Sequence, residues 1–293
     1  MRTRTGNFRI GFRGGWTDWQ KDHAGMARWA KSVGFELIDV GAVEPGTVKS
    51  IRDAGVDCIS VELHSWPALT SPDDAKRAAA IDKNRGYIEQ LTELGIKVFF
   101  AVVIPEKPDD KPIDNFKRAV ASFGELATAA ENAGATIVLE GWPGMHPHYG
   151  NFCCNPETYR AILKEVPSKG LSVNFDPSHL IRMGVDHVRF IDEFADRVGH
   201  VHGKDTEILT NDLYEIGLYQ QSIFKEPVFA GEYAWRYTIP GHGMTRWSYC
   251  FEVLKRVGFD GAVCVELEDA NYNGSEQGEK AGLTASLAFL ASA

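Results

Sequence analysis

Short apolar runs rich in β-forming residues alternate with longer amphipathic stretches along the whole chain, and Gly or Asp commonly marks the change from one to the next. Eight of the runs read as strands: Phe8–Phe12, Glu36–Val40, Cys58–Leu63, Lys97–Val103, Thr136–Glu140, Leu171–Asp176, Gly199–His202 and Ala262–Glu266. The stretches between them carry helical stripes. Asp74–Leu94 places apolar side chains at Ala75, Ala78, Ala79, Ile81, Tyr87, Ile88 and Leu91, and Asn115–Ala133 does so at Phe116, Ala119, Val120, Phe123 and Leu126. Gly34, Gly55, Gly95, Gly134, Gly170 and Gly258 each follow a helical run and precede an apolar one, the pattern of a left-handed helix cap leading straight into a strand. One βα unit repeated around eight strands, with no polar linker, predicts an α/β fold: a single (β/α)8 TIM barrel domain over residues 1–293. The rhythm breaks once, at about 205–243, where a long loop excursion carries Tyr and Trp residues.

Length and composition narrow the functional classes. The 293 residues are 44% hydrophobic, enough for a full core, and the formal net charge of −9 argues against a nucleic-acid partner, which normally calls for a basic face. The N-terminal residues 1–8 include arginines with no apolar stretch behind them. No run approaches the roughly 18 apolar residues of a membrane span. The expectation is a cytoplasmic protein with no membrane partner. Five cysteines, two of them (Cys58 and Cys264) inside apolar runs, do not suggest a disulfide framework, and the adjacent Cys153 and Cys154 have neither zinc-ribbon nor thioredoxin spacing. They read as loop thiols.

In a barrel of this kind, reactive groups sit at the carboxyl ends of strands and in the loops that follow. Four consecutive predicted strands end in ionisable residues: Glu140, Asp176, His202 and Glu266. Each taken singly is explained as a strand cap or a partner for a nearby Lys or Arg. Together, three carboxylates at the ends of buried apolar runs would repel one another in one mouth unless a cation compensates them. Three carboxylates and an imidazole suit one divalent metal ion, Mn²⁺ first, with Mg²⁺, Co²⁺ or Zn²⁺ as alternatives, and leave coordination positions for substrate oxygens.

With these residues in view, the sequence resembles the sugar phosphate isomerase/epimerase superfamily, the xylose-isomerase-like barrels that include D-tagatose and D-psicose 3-epimerases and 3-keto-hexoside epimerases. The resemblance is carried by Asn-Phe-Asp-Pro-Ser-His at 174–179, Gly-His-Val-His-Gly-Lys-Asp at 199–205, and Ile-Pro-Gly-His-Gly at 239–243, running on through Trp247 to residues 258–266. It implies that Glu140, Asp176, His202 and Glu266 bind the metal. It also implies that Glu140 and Glu266 act as acid and base on opposite faces of a sugar or keto-sugar, one removing the proton beside a carbonyl to give an enediolate held by the ion, the other returning a proton. His179 falls where the family places a substrate-contacting histidine. Lys204 is expected either to bond a sugar hydroxyl or to pair with Asp205. His64 is a further candidate for the mouth, whereas His200 is expected to face away from His202.

The chain also departs from the ketose 3-epimerases. His146 stands where they carry a glutamate and Ile208 where they carry an arginine. Trp142, His146, His148 and Tyr149, with Tyr233, Trp235, Arg236 and Tyr237, suggest a larger ligand such as a glycoside; Trp142, His146 and Arg236 are the expected contacts. These aromatics serve equally to pack a loop or to make a homo-oligomer interface. The leading expectation is an isomerase or epimerase acting on a keto-sugar or 3-keto-glycoside. The alternatives are a lyase cleaving 3-keto-glycosides by β-elimination, a metal nuclease of the apurinic-site type, and a non-catalytic sugar-binding protein.

Overall fold

The computed structural model describes residues 1–144 and 150–293. Its sheet has eight parallel strands: β1 (Arg9–Arg13), β2 (Leu37–Asp39), β3 (Ser60–Glu62), β4 (Val98–Val102), β5 (Thr136–Glu140), β6 (Leu171–Phe175), β7 (Val198–Gly203) and, after a two-stranded insertion, β10 (Ala262–Val265). They run in the spatial order β2-β1-β10-β7-β6-β5-β4-β3. Parallel bridges Leu37↔Asp57 and Val40↔Val61 join β2 to β3 and close the ring. The fold is the expected TIM barrel.

Residue parity on the strands sorts the apolar side chains into two layers. On β4, Val98, Phe100 and Val102 cluster with Val138 of β5, while Phe99 and Ala101 join the large cluster packed under the helices. That outer cluster takes its helical half from α2 (His23–Val33), α3 (Pro45–Asp53), α4 (Asp74–Glu93), α5 (Pro112–Asn132), α6 (Pro156–Glu165), α8 (His187–Phe194), α10 (Trp247–Arg256) and α11 (Glu276–Ser292). Glu140 shares the parity of Val138, so it points where the inner layer points.

Five of the six punctuating glycines are left-handed, from Gly134 at φ 71° to Gly34 at φ 105°. Gly170 is not. A Cβ there would lie 2.0 Å from the Ala127 carbonyl oxygen of α5, so this glycine answers a close approach of the chain before β6 to a helix. The expected loop at 205–243 is also corrected: its base is an antiparallel pair, β8 (Asp205–Ile208) with β9 (Trp235–Thr238), and α9 (Thr210–Ile216) lies between them. Among the described residues no helix is long and apolar enough to cross a membrane.

Candidate metal and sugar site

The four predicted strand-end residues reach one place because their registers match. Glu140 is level with Asn174 on the next strand, and His202 is level with Cys264, two residues before Glu266. Glu140 and Asp176 are buried, as is His202, whose ring stacks on Phe100 with centroids 5.1 Å apart. Single ligand atoms of Glu140, Asp176, His179 and Glu266 lie within 4.8 Å of one another. His202 Nδ1 stands 2.5 Å from Glu140 Oε2 and 3.5 Å from Glu266 Oε2. Two imidazoles therefore compete for one position beside the carboxylates, and their partners separate them. His179 Nδ1 meets the Tyr237 hydroxyl at 2.7 Å and its Nε2 meets Glu140 Oε1 at 3.2 Å, so both nitrogens are engaged. His202 Nδ1, close as it is to Glu140, and Asp176 Oδ2, 3.4 Å from both Lys204 Nζ and His179 Nε2, are buried and held by ion-pair contacts without a well-aligned hydrogen bond.

Around these atoms the polar groups are fixed by neighbours. Asn174 Nδ2 donates to Glu140 Oε2 at 2.6 Å, and Ser178 donates both its backbone N–H (2.9 Å) and its hydroxyl (2.6 Å) to Asp176 Oδ1. Asp176 also caps α7 (Pro177–Arg182), so only its second oxygen remains for other work. Lys204 is fully buried. Its ammonium donates to Glu266 and, at 2.9 Å, to Glu268, lies 3.4 Å from Asp176 Oδ2, and sits 4.6 Å from the Tyr237 ring centroid. Arg13 contacts Glu62 and lies 3.3 Å from Glu266.

Burial opposes every charge here, yet the opposite charges mostly prevail. Burial would raise the Glu140 carboxyl, but the adjacent His202 imidazole outweighs it and holds the group well below the usual carboxylate range. Lys204 and His202 do the same for Glu266. At Asp176, burial wins over Lys204 and His179 and the carboxyl is raised. His202, which burial alone would lower, is pushed up to about 10 by Glu140 and Glu266. The cluster thus draws in positive charge. Together with three carboxylates crowded within reach of one point, this is the chemistry of a set that fits a divalent cation.

A cavity of about 530 Å³ opens over this cluster, lined among others by Arg13, Phe100, Glu140, Trp142, His179, Lys204 and Glu266. Of the residues expected to contact substrate, Trp142, His179 and Lys204 line this cavity. Three other expectations fare differently. His64 is not among the lining residues; its ring packs on Tyr87 at 4.5 Å and its backbone N–H bonds Asn84. Arg236 pairs across the β8–β9 ribbon with Glu207 at 2.7 Å, away from the lining. His146 falls outside the described residues, as do His148 and Tyr149. Lys204 pairs with Glu266 and Glu268 rather than Asp205, which instead accepts from Thr245, Gly241 and Trp247 and anchors the end of the insertion.

His200 corrects a misreading. Residues two apart in a strand share a face, so it sits beside His202, with ring centroids 5.8 Å apart, and bonds Asp39 Oδ2 at 2.6 Å. Cys153 and Cys154 lie in the loop before α6, as expected, and both are buried. Sequence reasoning missed Arg13, Asn174 and Glu268 as site residues. Asn174 was legible in principle, since it precedes Asp176 by two and so shares its face.

A parallel eight-stranded barrel is the architecture of the xylose isomerase-like TIM barrels. The chain belongs to that family, whose model matches residues 27–293. Inosose dehydratase of Geobacillus thermodenitrificans (strain NG80-2) is 27% identical over 255 residues, covering 80% of this chain and 78% of that protein. Among solved structures, D-psicose 3-epimerase from Clostridium cellulolyticum H10, determined with D-tagatose, superposes with a TM-score of 0.71 at 17% identity, covering 96% of this chain and 98% of that one. The E. coli 3-keto-D-glucoside 4-epimerase gives 0.68 at 16%, covering 97% and 98%. These structural likenesses establish the fold.

Proposed function

We propose that the protein is a divalent-metal-dependent enzyme that removes the proton beside the carbonyl of a polyhydroxylated ketone, a keto-sugar or 3-keto-glycoside, and returns it on the other face. The observation that carries this reading is the convergence of Glu140 and Glu266 at one cavity with the buried Asp176 Oδ2 and His202 Nδ1, which only ion-pair contacts hold. Glu140, Asp176, His202 and Glu266 would hold the metal, Mn²⁺ being favoured by the oxygen-rich donor set, and when bound it supplies Lewis-acid polarisation of the substrate carbonyl.

The chain's own groups do the rest. One of the two glutamates accepts the carbon-bound proton and the other delivers a proton to the opposite face, which inverts that carbon. Asn174 and His179 orient the Glu140 carboxylate, and Lys204, clamped by Glu266 and Glu268, holds positive charge where the substrate gains negative charge. Phe100 and Trp142 line the floor with apolar surface that limits water around the reacting carbon.

A second reading has its own support. Curated relatives spanning most of both chains are named inosose dehydratases, and dehydration starts with the same proton abstraction before a neighbouring hydroxyl leaves as water. One experiment separates the outcomes. Protein loaded with Mn²⁺ is incubated with keto-sugars, 3-keto-glycosides and inososes in deuterated water and followed by NMR. Deuterium at one inverted carbon supports epimerisation, and loss of water supports the dehydratase. Absence of exchange in every ketone would contradict both.

A further inference from the structure

The cavity extends beyond the four clustered side chains. Its far wall is made by the loop after β1, with Gly14, Gly15, Trp16 and Thr17, and by the first turns of α11. Glu279 joins these two pieces. It is 1% exposed, and its Oε2 accepts hydrogen bonds from Thr17 Oγ1 at 2.7 Å, Trp19 Nε1 at 2.6 Å and Gln20 Nε2 at 2.9 Å. Its other oxygen, Oε1, is buried and has no partner.

Three donors on one oxygen lock the carboxylate in place, while the second oxygen is enclosed with its acceptor capacity unused, in a residue that lines the cavity. A buried acceptor in that condition is costly unless something donates to it. Among the described residues no Lys or Arg pairs with Glu279; the adjacent Lys280 bonds Glu276 and lies over the Trp19 and Trp29 rings. At the rim of the same lobe stands Trp16, 73% exposed. An exposed indole and a fixed carboxylate lining one cavity suit a sugar ring, whose C–H face stacks on the indole and whose hydroxyl donates to the oxygen.

We propose that this lobe is a second sugar subsite, in which Glu279 Oε1 accepts a hydroxyl and Trp16 covers the ring face, so that the ligand of the site is a glycoside with a further sugar unit and not a free monosaccharide. The proposal rests on reading the site as carbohydrate-binding, and its test involves no chemistry. Trehalose and methyl α-D-glucopyranoside have no carbonyl, so neither can undergo proton abstraction at the carboxylate cluster, and their binding is measured whether or not solvent exchange is ever found with ketones.

Calorimetric titration of the full chain with Mn²⁺ present is expected to show trehalose binding at least ten-fold more tightly than the methyl glucoside. Glu279→Ala and Trp16→Ala are each expected to abolish that preference while leaving the methyl glucoside affinity unchanged. Thermal unfolding of both variants guards against a folding defect, and Trp16, being largely exposed, supplies a change that the core does not feel. Equal affinity for the two probes, no binding of either, or a trehalose preference that survives both substitutions would overturn the subsite. A merely structural Glu279 would lower the melting temperature without changing the preference.

Discussion

Replacing Lys204 by Met tests the electrostatic account of the site in a single step. Lys204 is 1% exposed and its ammonium serves Glu266, Glu268 and Asp176, with Asp176 and Glu266 themselves among the proposed metal ligands. Met fills a similar volume, so packing changes little and the lost charge dominates. Removing one partner of a buried ion pair typically destabilises by ~3–5 kcal/mol. At ~2 °C per kcal/mol, the low end for domains of this size or somewhat smaller, the melting temperature of the metal-free protein should fall by ~6–10 °C.

Adding Mn²⁺ at a hundred times its dissociation constant stabilises the wild type by about 2.7 kcal/mol through mass action. It should stabilise the variant by more, since the ion then neutralises carboxylates that have lost their ammonium. The gap between the two proteins should therefore narrow with metal. Differential scanning calorimetry with and without Mn²⁺ measures both quantities. A metal-free Lys204→Met protein as stable as the wild type, or a gap that Mn²⁺ leaves unchanged, would refute the reasoning.

Two further outcomes follow from groups outside the cluster. His187 Nε2 accepts the Arg246 backbone N–H at 3.1 Å, and burial lowers its pKa below the ordinary 6.5. Its contribution is therefore complete above about pH 6.5 and lost as pH falls through the lower folded value, so the stability deficit of His187→Ala in urea titrations should be about 1 kcal/mol at pH 8 and should shrink by pH 5; a deficit independent of pH would contradict this. All five cysteines are buried, and burial pushes the thiols of Cys154 and Cys250 up to about 12. A disulfide reagent at pH 8 should label none of them in the native protein and all of them in denaturant, and rapid native labelling would place a thiol at the surface.

The barrel was readable because its elements are local: strand-length apolar runs, amphipathic stripes and the repeated helix-ending glycine each encode one βα unit, and parallel closure follows from their number. Glu140, Asp176, His202 and Glu266 were readable for the same reason, since a polar residue ending an apolar run marks a strand's carboxyl end. What the sequence hid depends on distant pairings. Arg13 ends the first strand and meets Glu266, just past the last, only because the ring closes, and Glu279 reaches the helical turn at Thr17–Gln20 from 259 to 262 positions away. Gly170 shared the punctuation of the other glycines while serving a close contact, because a tight approach and a left-handed turn leave the same residue in the sequence. Arg236 and His64 show the converse: residue types suited to a sugar site, placed by a two-stranded ribbon and by Tyr87 into structural contacts.

The most direct test of the central claim is a Mn²⁺ titration followed by electron paramagnetic resonance, which counts free ion. The account predicts one saturable site per chain, with affinity at least ten-fold weaker in both Asp176→Asn and His202→Ala and close to unchanged in His64→Ala. No saturable site, or full affinity retained in the Asp176 and His202 variants, would contradict it.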